Sequence, residues 1–275
     1  MRWTFMSTKP QFLIVLDLDG TSVRYEPRLE MDPELMQYIA SLRSSGVVWA
    51  MNSDRYTDTM ADIASLLPPE EKPAALLSCQ RFIHLHNGDD NTYLPLHQWN
   101  KQQMLLHRAL WGKIIPFFSD WKKKIEENYT IIDCVTNDIV FACMVPPEQT
   151  PSLRKRMLEF IKPWPDAQVS GNHDWTFILH AAFSKANILR RCAEQLGADA
   201  HRIIAIGDGI NDISMLNGLV TPLVGCPANA SREVIDAVTA AGGMVADAPA
   251  AAGTLQILKY YVSRIGGKLK VKSEE

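Results

Sequence analysis

Four short stretches carry residues whose types and spacing suit chemistry on phosphate. In Leu16-Asp17-Leu18-Asp19-Gly20-Thr21, two carboxylates stand at i and i+2 where an apolar run meets a glycine. A carboxylate held there can bind a hard divalent cation and attack phosphorus. Its neighbour two residues on is displaced enough to serve instead as proton donor and acceptor. Gly20 lets backbone N–H groups approach a phosphate closely. In Gly207-Asp208-Gly209-Ile210-Asn211-Asp212, three oxygen side chains surround two glycines, which suits an octahedral magnesium site that keeps some waters. No twelve-residue ligand ladder ending in Glu follows, so the EF-hand reading fails. Asn52-Ser53-Asp54-Arg55 offers a hydroxyl to a phosphoryl oxygen. Lys185 stands at an expected helix start, where a cation opposes the helix dipole and a phosphate-binding role is attractive. Singly, each stretch also fits a plain structural role, as an Asx turn, acidic loop, polar turn or surface lysine. Their combination is far more specific.

The elements around these stretches explain how they could meet. Phe12 to Leu16, Val47 to Met51 and Arg202 to Ile206 are short, unalternated apolar runs rich in branched residues, as strands buried on both faces are. Each leads directly into a polar stretch: Asp17, Ser53 or Asp208. Helical patterns separate them. The first has Asp32 as N-cap, Pro33 in the first turn and Gly46 past the end; a later one begins at Ser184 and stops at Gly197. Alternating strands and helices predict an α/β fold with a Rossmann-like, doubly wound parallel sheet, whose ligands bind beyond the carboxyl ends of the strands. Further strands are expected at Thr221 to Gly225 and Met244 to Val245, with helices near Ala228 to Ala240 and Ala250 to Arg264.

The middle of the chain reads differently. Lys101 to Glu127 predicts a helix with a kink near Pro116. Thr130 to Thr136 and Ile139 to Val145 predict a hairpin turning at Asn137-Asp138, Pro151 to Ile161 a helix, and Gln168 to Leu179 a second hairpin turning around Gly171-Asn172. This compact α+β unit, residues 99–180, is expected as an insertion in a catalytic core of residues 1–98 and 181–275.

Composition narrows the partners. With 47% hydrophobic and 21% charged residues and a net charge of -3, the chain is ordinary globular material without a call for nucleic acid or an anionic membrane. Lys122-Lys123-Lys124 reads as a solvated helix face and Lys268 to Lys272 as a frayed tail. The five cysteines, Cys79, Cys134, Cys143, Cys192 and Cys226, are scattered and form no CxxC pair, so reduced thiols in a cytoplasmic protein are expected. The opening residues lack an export signal's apolar run, and no stretch reaches membrane-spanning length.

Asp17-Leu18-Asp19-Gly20-Thr21, Ser53, Lys185 and Gly207 to Asp212 resemble, in order, the four motifs of the haloacid dehalogenase superfamily. The inserted unit resembles its C2 cap, by pattern only, and the whole resembles the Cof-type and sucrose-phosphatase-like branch. The resemblance implies a magnesium-dependent phosphatase for a small phosphorylated metabolite, a sugar phosphate in particular. Asp17 would form an aspartyl phosphate. Asp19 would protonate the leaving oxygen and then deprotonate water. Magnesium would sit on the Asp17 carboxylate, the Asp19 carbonyl and Asp208, with Asn211 and Asp212 completing the shell. Ser53, Lys185 and the Gly20-Thr21 backbone would hold the phosphoryl group. A phosphomutase or a non-catalytic phosphate-binding protein would keep the same motifs.

One departure stands out. Relatives often have Gly where this chain has Asp54, and a carboxylate there repels phosphate unless it is paired. Arg55 is one partner; alternatively Asp54 reads a sugar hydroxyl. Asn172, His173 and Asp174, at the expected hairpin tip, are candidates for selecting substrate, as are Arg24 and Tyr25 for lining the entrance. Trp99, Trp111, Trp121, Trp164 and Trp175 suit the inserted unit's core better than sugar stacking. His84 and His86 alternate on an expected strand but lack a third metal ligand at matching spacing.

Overall fold

A computed structural model describes residues 9–88, 90–172 and 175–265. The first half of the core runs β1 (Phe12–Leu16), β2 (Val23–Arg24), β3 (Glu30–Met31), α1 (Pro33–Leu42), β4 (Val47–Ser53), α2 (Thr57–Ser65), β5 (Ala75–Ser78), β6 (Phe82–Asn87) and β7 (Thr92–Pro95). The middle runs α3 (His97–Ile114), α4 (Phe118–Glu126), β8 (Asp133–Thr136), β9 (Phe141–Met144), α5 (Thr150–Ile161), β10 (Ala167–Asn172) and β11 (Trp175–His180). The chain closes with α6 (Lys185–Leu196), β12 (Ile203–Ile206), α7 (Ile213–Leu216), β13 (Leu223–Cys226), α8 (Arg232–Ala240), β14 (Met244–Val245) and α9 (Ala250–Ile265).

The chain forms two compact units. One ends at His97 and resumes at Lys185; the other is Gln98–Ser184, with the short stretch Gly209–Asn211 grouped to it. The first unit is built on an eight-stranded sheet in the order β14-β13-β12-β1-β4-β5-β6-β7. β1 lies at its centre, parallel to β12 and β4, and all five of its residues are buried. Phe12, Ile14 and Leu16 enter a core shared with α1, α2 and α9. Leu13 and Val15 point to the opposite face, as strand alternation requires. Burial on both faces explains the unalternated run, at about 1.5–3 kcal/mol for each large apolar side chain. The sheet departs from the all-parallel expectation at one edge, where β6 pairs antiparallel with β5 and β7 antiparallel with β6.

Local signals set the helix ends. Asp32 Oδ1 accepts hydrogen bonds from Glu34 N (3.1 Å) and Leu35 N (3.0 Å), capping α1. Gly46 ends the following turn at φ 77°, in the left-handed region.

The second unit has a four-stranded antiparallel sheet, β10-β11-β9-β8, packed with α3, α4 and α5 around Trp111, Trp121, Phe141, Leu153 and Ile178. A 3-10 turn at Ile115–Phe117 separates α3 from α4, where Pro116 cannot continue the ladder. The first hairpin turns where expected, with Asn137 Oδ1 accepting from Ile139 N and Val140 N. The second departs from expectation, because Gly171 and Asn172 belong to β10 itself. Gly171 packs so closely that a Cβ there would lie 2.5 Å from the Trp175 carbonyl oxygen. Cys134 and Cys143 are directly opposed in the β8–β9 register, 4.1 Å apart at Cα, and are joined as a disulfide. This corrects the expectation of five reduced thiols; Cys79, Cys192 and Cys226 are free. Among the described residues no helix is long and apolar enough to cross a membrane.

Candidate active site

Register places the first two motifs at one level of the sheet. Leu16 pairs with Ile206 on one side and Met51 on the other. Asp17 and Asp208 therefore leave neighbouring strands within a residue of each other, with Ser53 one residue beyond Asp17's level on the other flank. Asp17 N donates to Ile206 O at 2.9 Å, extending the ladder to the nucleophile candidate itself. The chain then turns on Leu18, whose carbonyl accepts from Thr21 N, Ser22 N and Val23 N. Ser22 Oγ donates to the Asp17 carbonyl. Gly20 is required twice over: its φ is 72°, and a Cβ would lie 2.2 Å from Asp208 Oδ2. Gly207 is constrained by space alone, with a Cβ 2.4 Å from Asp212 Cγ.

Asp208 is fixed through both oxygens. Thr21 Oγ1 donates to Oδ1 at 2.9 Å, and Asn229 Nδ2 donates to Oδ2 at 3.1 Å and to the Gly20 carbonyl at 2.9 Å. Asn229 is in turn oriented by Ala250 N, which donates to its Oδ1 at 2.6 Å. Thr254 Oγ1 holds the Thr21 carbonyl at 2.7 Å. Asp212 Oδ2 accepts from Asp208 N at 3.1 Å. Asn211 lies buried on the adjoining 3-10 turn, Ile210–Asp212.

Lys185, fully buried at the first position of α6, sends Nζ to Asp17 Oδ1 at 2.5 Å and to Asp212 Oδ1 at 2.6 Å. Burial opposes its charge, but those two carboxylates outweigh burial and raise its pKa above the ordinary lysine value. The Lys185 carbonyl accepts from Asn52 Nδ2 at 3.2 Å, tying α6 to the end of β4. Burial, and then the Asp212 charge, push Asp17 well above the usual carboxylate range against the pull of Lys185. Asp17, Asp208 and Asp212 each offer an oxygen within 4.8 Å of the others, and all three are buried. Three buried carboxylates against one ammonium leave a local excess of negative charge. Hard oxygen donors in that arrangement suit a divalent cation such as magnesium.

Asp19 is held quite differently. Arg55 grips it with Nε on Oδ2 at 2.8 Å and Nη2 on Oδ1 at 2.6 Å, and the Tyr25 hydroxyl donates to Oδ1 at 2.6 Å. Burial would raise its pKa, but the bonds from Arg55 and Tyr25 prevail and lower it. Burial and then the bond to Asp19 push the Tyr25 phenol upward. Arg55, one expected partner for Asp54, thus pairs with Asp19. Asp54 instead lies where its charge helps to raise Lys185 and favours the charged form of Arg81. Arg81 is 5% exposed and closes the turn after β5. That turn is bound to the motif loop, Cys79 N donating to the Ser53 carbonyl at 3.0 Å. Ser53 is buried, and its Oγ accepts from Arg55 N at 3.3 Å.

The structure therefore gathers Asp17, Asp208, Asp212 and Lys185 directly, sets Gly20 and Thr21 against Asp208, and couples Asp19 to Arg55. Residues 173 and 174, the hairpin-tip candidates His173 and Asp174, lie outside the described residues, as does the Lys268 to Lys272 stretch. His86 bonds Asn91 at 2.7 Å. Burial lowers the His84 pKa, and neither histidine joins a three-ligand cluster among the described residues. Trp111 and Trp121 pack in the second unit's core, with Trp164 against it. Asn229 and Arg81 stand outside the stretches read from the sequence, and Asn52, inside one of them, adds a bond to the Lys185 carbonyl that its spacing does not signal.

A family model described as haloacid dehalogenase-like hydrolase matches residues 115–248. No curated protein matches the sequence. Among solved structures, the sucrose-phosphatase of Synechocystis sp. PCC6803, in complex with sucrose and phosphate, is 15% identical with a TM-score of 0.68, covering 92% of this chain and 98% of that one. A haloacid dehalogenase-like hydrolase from Bacteroides thetaiotaomicron is 17% identical with a TM-score of 0.59, covering 91% and 99%. A haloacid dehalogenase-like hydrolase protein from Bacillus subtilis is 15% identical with a TM-score of 0.54, covering 95% and 91%. Residues 115–248 thus match the haloacid dehalogenase-like hydrolase family, and the whole chain shares its fold with these solved structures.

Proposed function

We propose that the chain hydrolyses phosphate monoesters of small hydroxylated metabolites, sugar phosphates in particular, through a phosphorylated Asp17. The observation that carries this reading is the buried Asp17 at the end of β1, 2.5 Å from Lys185 Nζ and clustered with Asp208 and Asp212. A buried carboxylate cornered by two others and one fixed ammonium serves nucleophilic chemistry better than it serves stability. The likeness to the sucrose-phosphatase supports the sugar class.

In this reading Asp19, which Arg55 and Tyr25 favour in its ionised form at rest, first takes up a proton from water as the ester binds. An Asp17 oxygen attacks phosphorus, the ester P–O bond breaks, and its electron pair leaves with the alcohol oxygen, which takes that proton from Asp19. Water then gives a proton to Asp19 and its oxygen attacks the same phosphorus. The bond to Asp17 breaks, releasing orthophosphate and restoring the carboxylate. Lys185 fixes Asp17 and offsets phosphoryl charge, while Ser53 and the backbone at Gly20-Thr21 orient the phosphoryl oxygens. Magnesium, held by Asp17, Asp208 and the Asp19 carbonyl with Asn211 and Asp212 around it, would supply further positive charge for the phosphoryl oxygens. The inserted unit, Gln98–Ser184, is read as the cap that carries substrate selectivity.

The test is orthophosphate release from a panel of sugar phosphates, with magnesium and with chelator. Release should require the metal, and Asp17→Asn should lower it by at least about a thousand-fold. Undiminished release by that variant, or an isomeric phosphate ester as the product, would sink the reading.

A further inference from the structure

Asp19 is surrounded by more donors than a freely exchanging acid would need. An ionised carboxylate offers roughly two acceptor positions on each oxygen. Oδ1 fills both of its positions, taking the Tyr25 hydroxyl at 2.6 Å and Arg55 Nη2 at 2.6 Å. Oδ2 takes Arg55 Nε alone, at 2.8 Å. The two oxygens of one side chain are therefore inequivalent, and Tyr25 makes them so. Arg55 by itself grips the carboxylate evenly, one N–H to each oxygen.

The way Tyr25 is delivered argues against a chance surface contact. It follows β2 directly, in a short hairpin that β3 closes through the Val23–Met31 and Arg24–Glu30 pairs. Arg24 Nε and Arg28 Nε both donate to Glu30, at 2.9 and 2.7 Å, bracing the loop that carries the tyrosine. The residue remains 54% exposed, so core packing does not explain its position. Its hydroxyl nevertheless makes a bond of charge-assisted length to Asp19.

We propose that Tyr25 is a positioning residue for the reaction: by saturating Oδ1 of Asp19 it commits Oδ2 to proton exchange with the leaving oxygen. This rests on the reading of Asp19 as the acid–base group. Without the tyrosine the carboxyl can rotate or shift within the Arg55 grip, and its free position no longer faces a fixed direction. Proton delivery matters most when the leaving group is a poor one. The defect should therefore depend on the ester and not on the enzyme's general integrity.

The experiment compares kcat/KM of the full-length wild-type chain, Tyr25→Phe and Asp19→Ala with magnesium on two esters. One is glucose 6-phosphate, whose alkoxide must be protonated as it leaves. The other is p-nitrophenyl phosphate, whose phenolate leaves unaided. Because kcat/KM reports events up to the first irreversible bond cleavage, it isolates the step in which Asp19 is the acid. Tyr25→Phe should lose about 10- to 100-fold on the sugar phosphate, within the range general acid catalysis supplies, and less than about 3-fold on the aryl ester. Equal losses on both esters, or none on either, overturn the assignment to Tyr25 while Asp19→Ala remains ester-selective. If Asp19→Ala is itself unselective, the acid–base reading and the inference fall together.

Discussion

Asn229 shows how much of the site is built by residues that perform no chemistry. Its Nδ2 spans the Gly20 carbonyl and Asp208 Oδ2, and its Oδ1 is claimed by Ala250 N, so the amide has one workable orientation. Partners of this kind set ligand direction, and removing them commonly weakens metal binding about 10- to 100-fold. Asn229→Ala should accordingly raise the magnesium concentration needed for half-maximal activity by that factor, while activity at saturating magnesium largely returns. A metal-activation curve unchanged in midpoint would show that Thr21 alone suffices to hold Asp208. The residue was invisible in the sequence because it follows a different strand from Asp208 and has no motif spacing to either partner. Asp17, Asp208 and Lys185 were legible for the opposite reason: the first two stand just past buried apolar strands, β1 and β12, close to glycines, and the third begins a helix where a cation opposes the dipole.

At the scale of elements, α1 is specified almost entirely by its ends. The Asp32 carboxylate takes two of the N–H groups that the first turn leaves open, and Pro33 surrenders none because it has none to give. Asp32→Ala should cost about 1 kcal/mol. In a unit of this size that lowers the midpoint of thermal unfolding by about 2–4 °C, read by circular dichroism. No shift would mean that packing of Leu35, Ile39 and Leu42 carries the helix alone. Central strands were as readable as this cap, since burial on both faces leaves nothing but apolar residues in β1 and β12. Edge elements were not. β2 and β3 have two residues each, too short for any periodicity. β7 alternates half-buried and exposed residues, and the sheet turns antiparallel one strand earlier, at β6, a choice made by the hairpin and not by composition. The Cys134–Cys143 pair was hidden likewise, because a separation of nine residues becomes a direct cross-strand contact only once the register is known.

Across the whole molecule, two separate cores imply two separable stabilities. The carboxylates Asp17, Asp208 and Asp212 and the cation Lys185 all belong to the first unit. The second rests on its own aromatic cluster, in which Trp121, 4% exposed, meets the rings of Phe118, Phe141, Phe160 and Trp164. A ligand that binds only the folded first unit adds about 2.7 kcal/mol at a hundred times its dissociation constant, or about 5–10 °C for a unit of this size. Trp121→Ala removes about 3–5 kcal/mol from the second unit by emptying its centre. Scanning calorimetry should then resolve two transitions that answer to different perturbations. Magnesium should raise one and chelator should lower it again, while Trp121→Ala should depress the other and leave the metal-sensitive one in place. The electrostatics give the first response its sign: the buried site holds three carboxylates and one ammonium, so a dication relieves repulsion that exists only in the folded state. A single transition shifted equally by the metal and by the tryptophan variant would mean that the units unfold as one body, and that the inserted unit's stability is borrowed from the core.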